Sequence, residues 1–188
     1  MKVLQLVPRL PYPPDDGGKI GILGITNGYL ALGHQVYMGG FDQEGTRAAF
    51  EANLAPHLSG HLVHSLSSFD HRRAALGALA LKRPFIRDKY WSRAFFTDCV
   101  RIVEQFEPDL VHLDHSHMAS YGVALKQRFP ELTCVLRAHN VEYTVWQRMA
   151  ANADNAVKRA LLNRMGGAVK RFEGCVFSEL DGILRSRM

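Results

Sequence analysis

Three polar segments of the sequence contain side chains of the types that bind ligands or transfer protons. The first is a Pro/Gly-rich segment that ends in Gly17, Gly18 and Lys19. The second is residues 112–117, with three histidines and one aspartate, and the third is residues 137–143, with five polar side chains. Each segment follows a short apolar run, so the elements that precede the segments decide whether they meet.

The glycine segment offers backbone amides to an anion. Gly17 and Gly18 let the chain approach a phosphate closely, and the helix predicted after them adds a favourable dipole. The segment is not a GxGxxG motif, and it lacks the P-loop spacing and hydroxyl residue, because Ile20 follows Lys19. NAD-dependent enzymes and P-loop nucleotidases are therefore disfavoured. A tight turn that requires glycine is an equally good interpretation of the pair.

The histidine segment has the residue types of a zinc site, but its predicted geometry is unfavourable. Strand alternation places His112 and Asp114 on one face and sends His115 to the other. Without a second segment that contributes ligands, we predict no metal site here. A histidine or an aspartate at the end of a strand can instead orient a hydroxyl group or act as a base.

The third segment is more polar than packing requires. Asn140 is placed to cap the helix that follows, with Tyr143 at its third position. That leaves Arg137, His139 and Glu142 for a ligand, and the planar guanidinium of arginine suits a phosphate or a carboxylate.

Apolar runs alternate with segments of helical periodicity along the whole chain. The predicted strands are residues 2–8, 35–38, 61–66, 110–113, 133–136 and 181–184. The predicted helices are residues 19–32, 46–58, 74–81, 93–106, 118–129, 142–149 and 155–177. This alternation predicts an α/β, Rossmann-like, doubly wound and mostly parallel sheet flanked by helices. Ligands bind such sheets at the carboxyl ends of the strands, where the three polar segments lie.

The composition is that of one globular domain. The 188 residues are 47% apolar and 22% charged, with no apolar run near the ~20 residues that span a bilayer. The start is too short in apolar residues for a signal peptide. Cys99, Cys134 and Cys175 are scattered, and we interpret them as buried thiols in a reducing compartment. We therefore expect a cytoplasmic protein.

The net charge of +5 is unevenly distributed. Basic residues concentrate in residues 72–93 and in residues 158–171. Such clusters suit anionic lipid, a phosphorylated ligand or nucleic acid, and solvated helix faces explain them equally well. Nucleic acid is the weakest of these partners, because few aromatic residues accompany the basic runs.

The polar segments together resemble a known family. Residues 9–18 with 30–36, and residues 108–112, resemble the N-terminal part of family-4 retaining glycosyltransferases. Residues 137–143 with 146–148 resemble a signature of bacterial members that build surface polysaccharide. The similarity covers nearly the whole chain.

The resemblance implies the GT-B architecture, in which two Rossmann-like domains face each other across a cleft. Residues 1–188 would be the acceptor-side domain, and the donor-binding domain has no counterpart among them. Such enzymes need no metal and no cofactor, since the nucleotide-sugar is a co-substrate. The resemblance implies donor-phosphate contacts at Gly17, Gly18 and Lys19, an acceptor cleft lined by Arg137, His139, Asn140 and Glu142, and catalytic candidates Asp114 and His115.

The sequence departs from the family at two positions. Gly21 stands where many relatives have an arginine, and Asp114 stands where many have a histidine, with His115 next to it. We expect the chain alone to be inactive, to associate with the inner face of an anionic membrane, and to self-associate through the uncovered interdomain face. The alternative is a non-catalytic Rossmann-like module that binds a phosphorylated ligand or a protein partner.

Overall fold

The computed structural model describes residues 1–43, 45–66, 77 and 84–185. Its strands are β1 (Lys2–Val7), β2 (Gln35–Asp42), β3 (Gly60–Ser65), β4 (Leu110–Asp114), β5 (Thr133–Ala138) and β6 (Gly182–Arg185). Its α-helices are α1 (Gly17–Ala31), α2 (Arg47–Asn53), α3 (Phe85–Tyr90), α4 (Arg93–Phe106), α5 (Ala119–Arg128), α6 (Glu142–Ala151) and α7 (Ala156–Ser178). Short 3-10 helices lie at Ala55–His57 and Ser116–Met118.

The six strands form one sheet in the order β3-β2-β1-β4-β5-β6, and every neighbouring pair is parallel. The predicted fold class is therefore confirmed. The chain runs outward from β1 to β3 and then returns to start the other half at β4, so the order reverses between β1 and β4. The central strand β1 pairs with both β2 and β4, so Leu4 lies beside Tyr37 of β2 on one side and Val111 of β4 on the other.

Helices cover both faces of the sheet, as the apolar runs predict. Successive residues of β1 enter two different clusters of buried side chains: Leu6 packs in the larger one with Phe95, and Val7 packs in the smaller one with Ile22. All these side chains are fully buried. None of the helices in the described ranges has the length and apolar character of a membrane-spanning segment.

Some predicted elements differ from the observed ones. Strand β2 continues through Gly39 and Gly40 to Asp42, and the short helix α3 was not predicted. The predicted helix over 46–58 ends at Asn53, because Pro56 begins a 3-10 turn there. Apart from Gly77, the predicted helix over 74–81 lies outside the described residues, as do Arg72, Arg73, Lys82 and Arg83 of the basic segment 72–93.

The interpretation of all three cysteines as buried thiols is wrong for one of them. Cys99 and Cys134 are buried in the core, but Cys175 is exposed. It lies on α7 next to the buried Val176, and it lines a surface groove together with Val176 and the buried Ala168. Its place in an apolar stretch of the helix therefore does not make it buried.

Candidate functional site

The carboxyl ends of β4 and β5 bring two of the polar segments together. The His115 amide donates to the Arg137 carbonyl at 3.0 Å, so the segments after the two strands run side by side. The His115 ring lies 5.2 Å from the His139 ring and 5.9 Å from the His117 ring, measured between centroids. Three imidazoles thus gather at one edge of the sheet, beside the switch point between β1 and β4.

The backbone of His115 is strained. Its φ of 66° with ψ of 149° is a conformation that glycine tolerates and that side chains rarely adopt. Such a residue costs about 1–3 kcal/mol and persists where surrounding structure holds it, often at functional sites. This turn ends β4 and directs the chain into the 3-10 helix that contains His117.

Asp114 lies inside the domain and has its carboxylate fully paired. Arg137 Nε donates to one oxygen at 2.6 Å, and Gln5 Nε2 donates to the other at 2.7 Å. Gln5 in turn accepts a hydrogen bond from the Thr26 hydroxyl at 2.8 Å. Burial alone would raise the pKa of Asp114, but its partners His112, Arg137 and Gln5 lower the pKa overall. These contacts indicate that Asp114 positions Arg137. The catalytic role of Asp114 stays a prediction.

The glycine segment begins α1, but its amides already have an acceptor. The Asp16 carboxylate caps the helix and accepts from the Gly18 amide at 2.7 Å and the Lys19 amide at 3.0 Å. Arg9 also pairs with that carboxylate at 2.7 Å. A phosphate at this helix end would have to displace the Asp16 carboxylate, whereas Gly17 faces open space.

Lys19 is almost completely buried, with 1% of its surface exposed. Its ammonium lies 3.0 Å from the Asp15 carboxylate. A Cβ on Gly18 would collide with the Arg9 guanidinium, so that flexible side chain would have to move, and a Cβ on Gly21 would lie 3.1 Å from the Arg137 guanidinium. The absent side chain at residue 21 therefore makes room for Arg137.

Helix α6 is capped from a distance. The prediction that Asn140 caps it is wrong: Val141 occupies the capping position and makes no side-chain bond. The Glu173 carboxylate, on α7, accepts instead from the Glu142 amide at 2.9 Å and the Tyr143 amide at 3.1 Å. Glu173 is 2% exposed. A buried carboxylate from another helix thus does what Asn140 was expected to do.

Glu173 also holds the histidine segment. The Ser116 hydroxyl donates to the Glu173 carboxylate at 3.1 Å, and Ser116 lies between His115 and His117 in the chain. One side chain therefore connects α7 to the segment after β4 and to the start of α6. A sequence signal for it exists, since Glu173 continues the buried helical spacing of Leu162, Gly166, Val169 and Val176.

Burial changes the protonation of the groups at this edge. It lowers the pKa of His115 to about 4 and that of His117 to about 3, so both imidazoles are neutral at pH 7. Burial and the neighbouring Glu173 raise the pKa of Glu142 to about 7. His115 Nε2, His117 Nδ1 and His139 Nδ1 are buried without a hydrogen-bond partner among the described residues.

Of the sequence-based site residues, Gly17 faces open space, and Asn140 lines a groove with residues of α6 and α7. The others fall into two groups. His115, His139 and Glu142 lie at the carboxyl edge with polar atoms to offer a ligand, and Arg137 lies beneath them. Gly18, Lys19 and Asp114 are occupied by partners within the chain. Sequence reasoning did not single out the buried polar residues Gln5, Thr26, Ser116 and Glu173. It also missed the half-buried Tyr29, whose hydroxyl lies 2.8 Å from His112 Nδ1.

A side groove of about 560 Å³ lies elsewhere, between α3, α5 and α7, and its lining includes Arg87, Trp91, Arg171 and Cys175. It shares no residue with the carboxyl edge.

The sequence matches no family model and no curated protein. Several solved structures are similar. Sucrose-phosphate synthase from Thermosynechococcus elongatus matches with a TM-score of 0.55 and 12% identity, over 97% of this chain and 41% of that chain. The N-terminal domain of Candida albicans trehalose-6-phosphate phosphatase has a TM-score of 0.46 and 15% identity, over 94% of this chain and 42% of that chain. UDP-GlcNAc 2-epimerase from Methanocaldococcus jannaschii has a TM-score of 0.40 and 11% identity, over 96% of this chain and 44% of that chain.

The first of these likenesses shows a shared fold, and the other two, with TM-scores below 0.5, add nothing to it. The chain spans less than half the length of each of these three structures.

Proposed function

We propose that the chain is the acceptor-binding domain of a glycosyltransferase that moves a sugar from a nucleotide-sugar to a glycan or a lipid-linked acceptor. The observation that carries this proposal is the convergence of His115, His139 and Glu142 at the carboxyl edge of β4 and β5. That edge is where doubly wound sheets bind ligands. The resemblance to family-4 retaining enzymes supplies the class of substrate.

The neighbours of the site suit a sugar. Imidazoles and a carboxyl group exchange hydrogen bonds with hydroxyl groups, and the buried Nδ1 of His139 lacks a partner among the residues described. Arg137 lies directly below, with its Nη2 also unpartnered within the described ranges. An acceptor hydroxyl or a donor phosphate would satisfy these groups.

Catalysis requires groups from both sides of the cleft, so the chain alone binds acceptor and transfers nothing. In the intact enzyme, the Gly17–Gly18 segment would approach the donor phosphates once the Asp16 carboxylate moves away from the Gly18 and Lys19 amides. Exposed basic residues of α7 would lie against anionic lipid. The candidates are Lys158, Arg159, Arg164, Lys170 and Arg171.

A glycan array tests the acceptor role. The tag-free chain, in the presence of a chelator, is applied to an array of bacterial surface oligosaccharides. We expect a defined subset of glycans to bind, and His139→Ala to abolish that binding. The matched control is His57→Ala, since His57 is exposed on a 3-10 helix away from the edge. Absence of glycan binding, or equal binding by His139→Ala, would contradict the role.

A further inference from the structure

We propose that His115, His117 and Glu142 bind one divalent transition-metal ion, with zinc as the best match, and leave one coordination position open. One ligand atom from each of these side chains lies within 4.8 Å of the other two. The resemblance to metal-independent enzymes does not suggest this site, and it goes beyond the proposed function.

The two histidines of the set come from the turn that follows β4. His115 ends the strand in its strained conformation, and His117 follows within the 3-10 helix Ser116–Met118. The strand alternation that argues against a site built from His112 and Asp114 therefore does not apply to this pair. Glu142, the first residue of α6, is the contribution from a second segment.

The imidazoles of the set have nitrogen atoms to offer. His115 is 8% exposed, and its Nε2 is buried with no hydrogen-bond partner among the described residues; His117 Nδ1 is in the same condition. A buried polar atom without a partner costs about 1–3 kcal/mol, so such atoms in a native protein require a reason. A metal ion supplies that reason, because it binds the lone pair of a neutral imidazole.

Glu173 holds the ligand-bearing segments in place. Its carboxylate accepts from Ser116, between the two histidines, and from the Glu142 amide. Outer residues that orient the ligands of a metal are a regular part of metal sites. Here one buried carboxylate fixes both segments relative to α7, and its charge adds to the attraction for a cation.

Two imidazoles and one carboxylate form a donor set that zinc accepts, with a fourth position for water or substrate oxygen. Zinc–ligand bonds of about 2.0–2.2 Å in a tetrahedron place the ligand atoms roughly 3.4 Å apart. Since the ligand atoms lie up to 4.8 Å apart, the set needs to close by up to about 1.4 Å, which small rotations of the half-buried His117 and Glu142 side chains would provide. A sugar hydroxyl or a phosphate oxygen would fill the open position, and His139 is near, with its ring 5.2 Å from that of His115.

The test is a metal titration of the tag-free chain after treatment with a chelator. We expect about one equivalent of Zn²⁺ with a Kd of about 1 µM or below. Co²⁺ should give the visible absorption of a four-coordinate site. Glu142→Gln keeps the shape of the side chain and is expected to raise the Kd at least about tenfold, as is His117→Ala. The matched control His57→Ala should bind as the unchanged chain does.

Thermal unfolding and far-ultraviolet circular dichroism verify that each variant is folded. If His117→Ala does not fold, Glu142→Gln alone decides. Binding of less than about a tenth of an equivalent by the unchanged chain overturns the proposal, as does an unchanged Kd in the folded variants. The titration contains no sugar, so its failure leaves the acceptor role untouched, and the glycan array with chelator leaves the metal site untouched.

Discussion

Asp114 and His115 are neighbours in the chain with opposite environments. The Asp114 carboxylate is buried and has both oxygens paired, whereas the His115 imidazole has a buried nitrogen with no partner among the described residues. His115 also has the strained backbone. A satisfied buried pair stabilises the fold, while an unsatisfied group on a strained backbone is the usual sign of a site. We therefore propose that Asp114 stabilises the fold and that His115 binds a ligand, while a catalytic role for Asp114 stays a prediction.

Asp114→Asn should be strongly destabilising. The change leaves the buried Arg137 guanidinium without its counter-charge, which typically costs about 3–5 kcal/mol. Urea unfolding at neutral pH measures the loss. The matched control is Asp154→Asn, because Asp154 is exposed and its ion pair with Lys158 should contribute less than about 1 kcal/mol. Equal stabilities of the two variants would contradict the assignment.

The strained backbone at His115 predicts that glycine is more stable than alanine there, which is the reverse of the usual order in a helix. Because φ is positive there, His115→Gly should be more stable than His115→Ala by about 1 kcal/mol. Arg164, exposed on α7, is the control, since alanine should exceed glycine there by about the same amount in an ordinary helix. Denaturant unfolding of the four variants gives both differences. An alanine advantage at His115 would show that the turn is not strained.

Among the elements, α7 has the widest influence on the site, although it contributes no ligand. Its buried stripe contains Glu173, whose carboxylate connects the turn after β4 to the start of α6. The strands bring the segments to the same edge, and α7 sets their relative positions.

Glu173→Gln tests this connection. The amide nitrogen of glutamine cannot accept from Tyr143 or Glu142, so at least one buried donor loses its partner, at about 1–3 kcal/mol. Hydrogen exchange by NMR should show faster exchange of the Glu142 and Tyr143 amides. The exchange rate of the Lys158 amide, which donates to Asn155, should not change. In the control Glu131→Gln, at an exposed position, the exchange rates of all three amides should stay the same. Unchanged protection in Glu173→Gln would refute the connection.

The edge pair of β5 and β6 depends on Asp181. The Cys134 amide at 2.7 Å and the Lys126 ammonium at 2.8 Å lower the pKa of its carboxyl group. A carboxyl with a lower pKa in the folded state contributes stability above its unfolded value of about 3.9, and loses it as the pH falls through the folded value. Asp181→Asn should therefore flatten the dependence of Tm on pH below about 4. Parallel curves for the two proteins would contradict this.

The strands could be predicted more fully than the helix ends. The apolar runs predict all six strands, but β2 was expected to end before Gly39 and Gly40. The strand needs glycine at these two positions because a Cβ there would press against Leu6 and Val7 of β1. The cap of α6 was assigned to Asn140 because local sequence cannot show that a residue 31 positions from Glu142 supplies the carboxylate.

For the whole molecule, the convergence of the polar segments follows from topology. A parallel, doubly wound sheet brings the carboxyl ends of β1, β4 and β5 to one edge, and the sequence predicts that much. It does not predict which polar residues have partners inside the domain. Lys19 and Asp114 have the residue types of a site and are buried in ion pairs, and only the packed structure separates them from His115 and Glu142.

The central claim is that the carboxyl edge of β4 and β5 binds a sugar acceptor. The most direct test is an NMR titration of the labelled chain with the oligosaccharide that the glycan array selects. The account predicts saturable shifts of the ring and amide signals of residues 115–117 and 137–143, and none at Arg171 and Cys175 in the side groove. Shifts confined to that groove, or no shift at the edge at saturation, would contradict it.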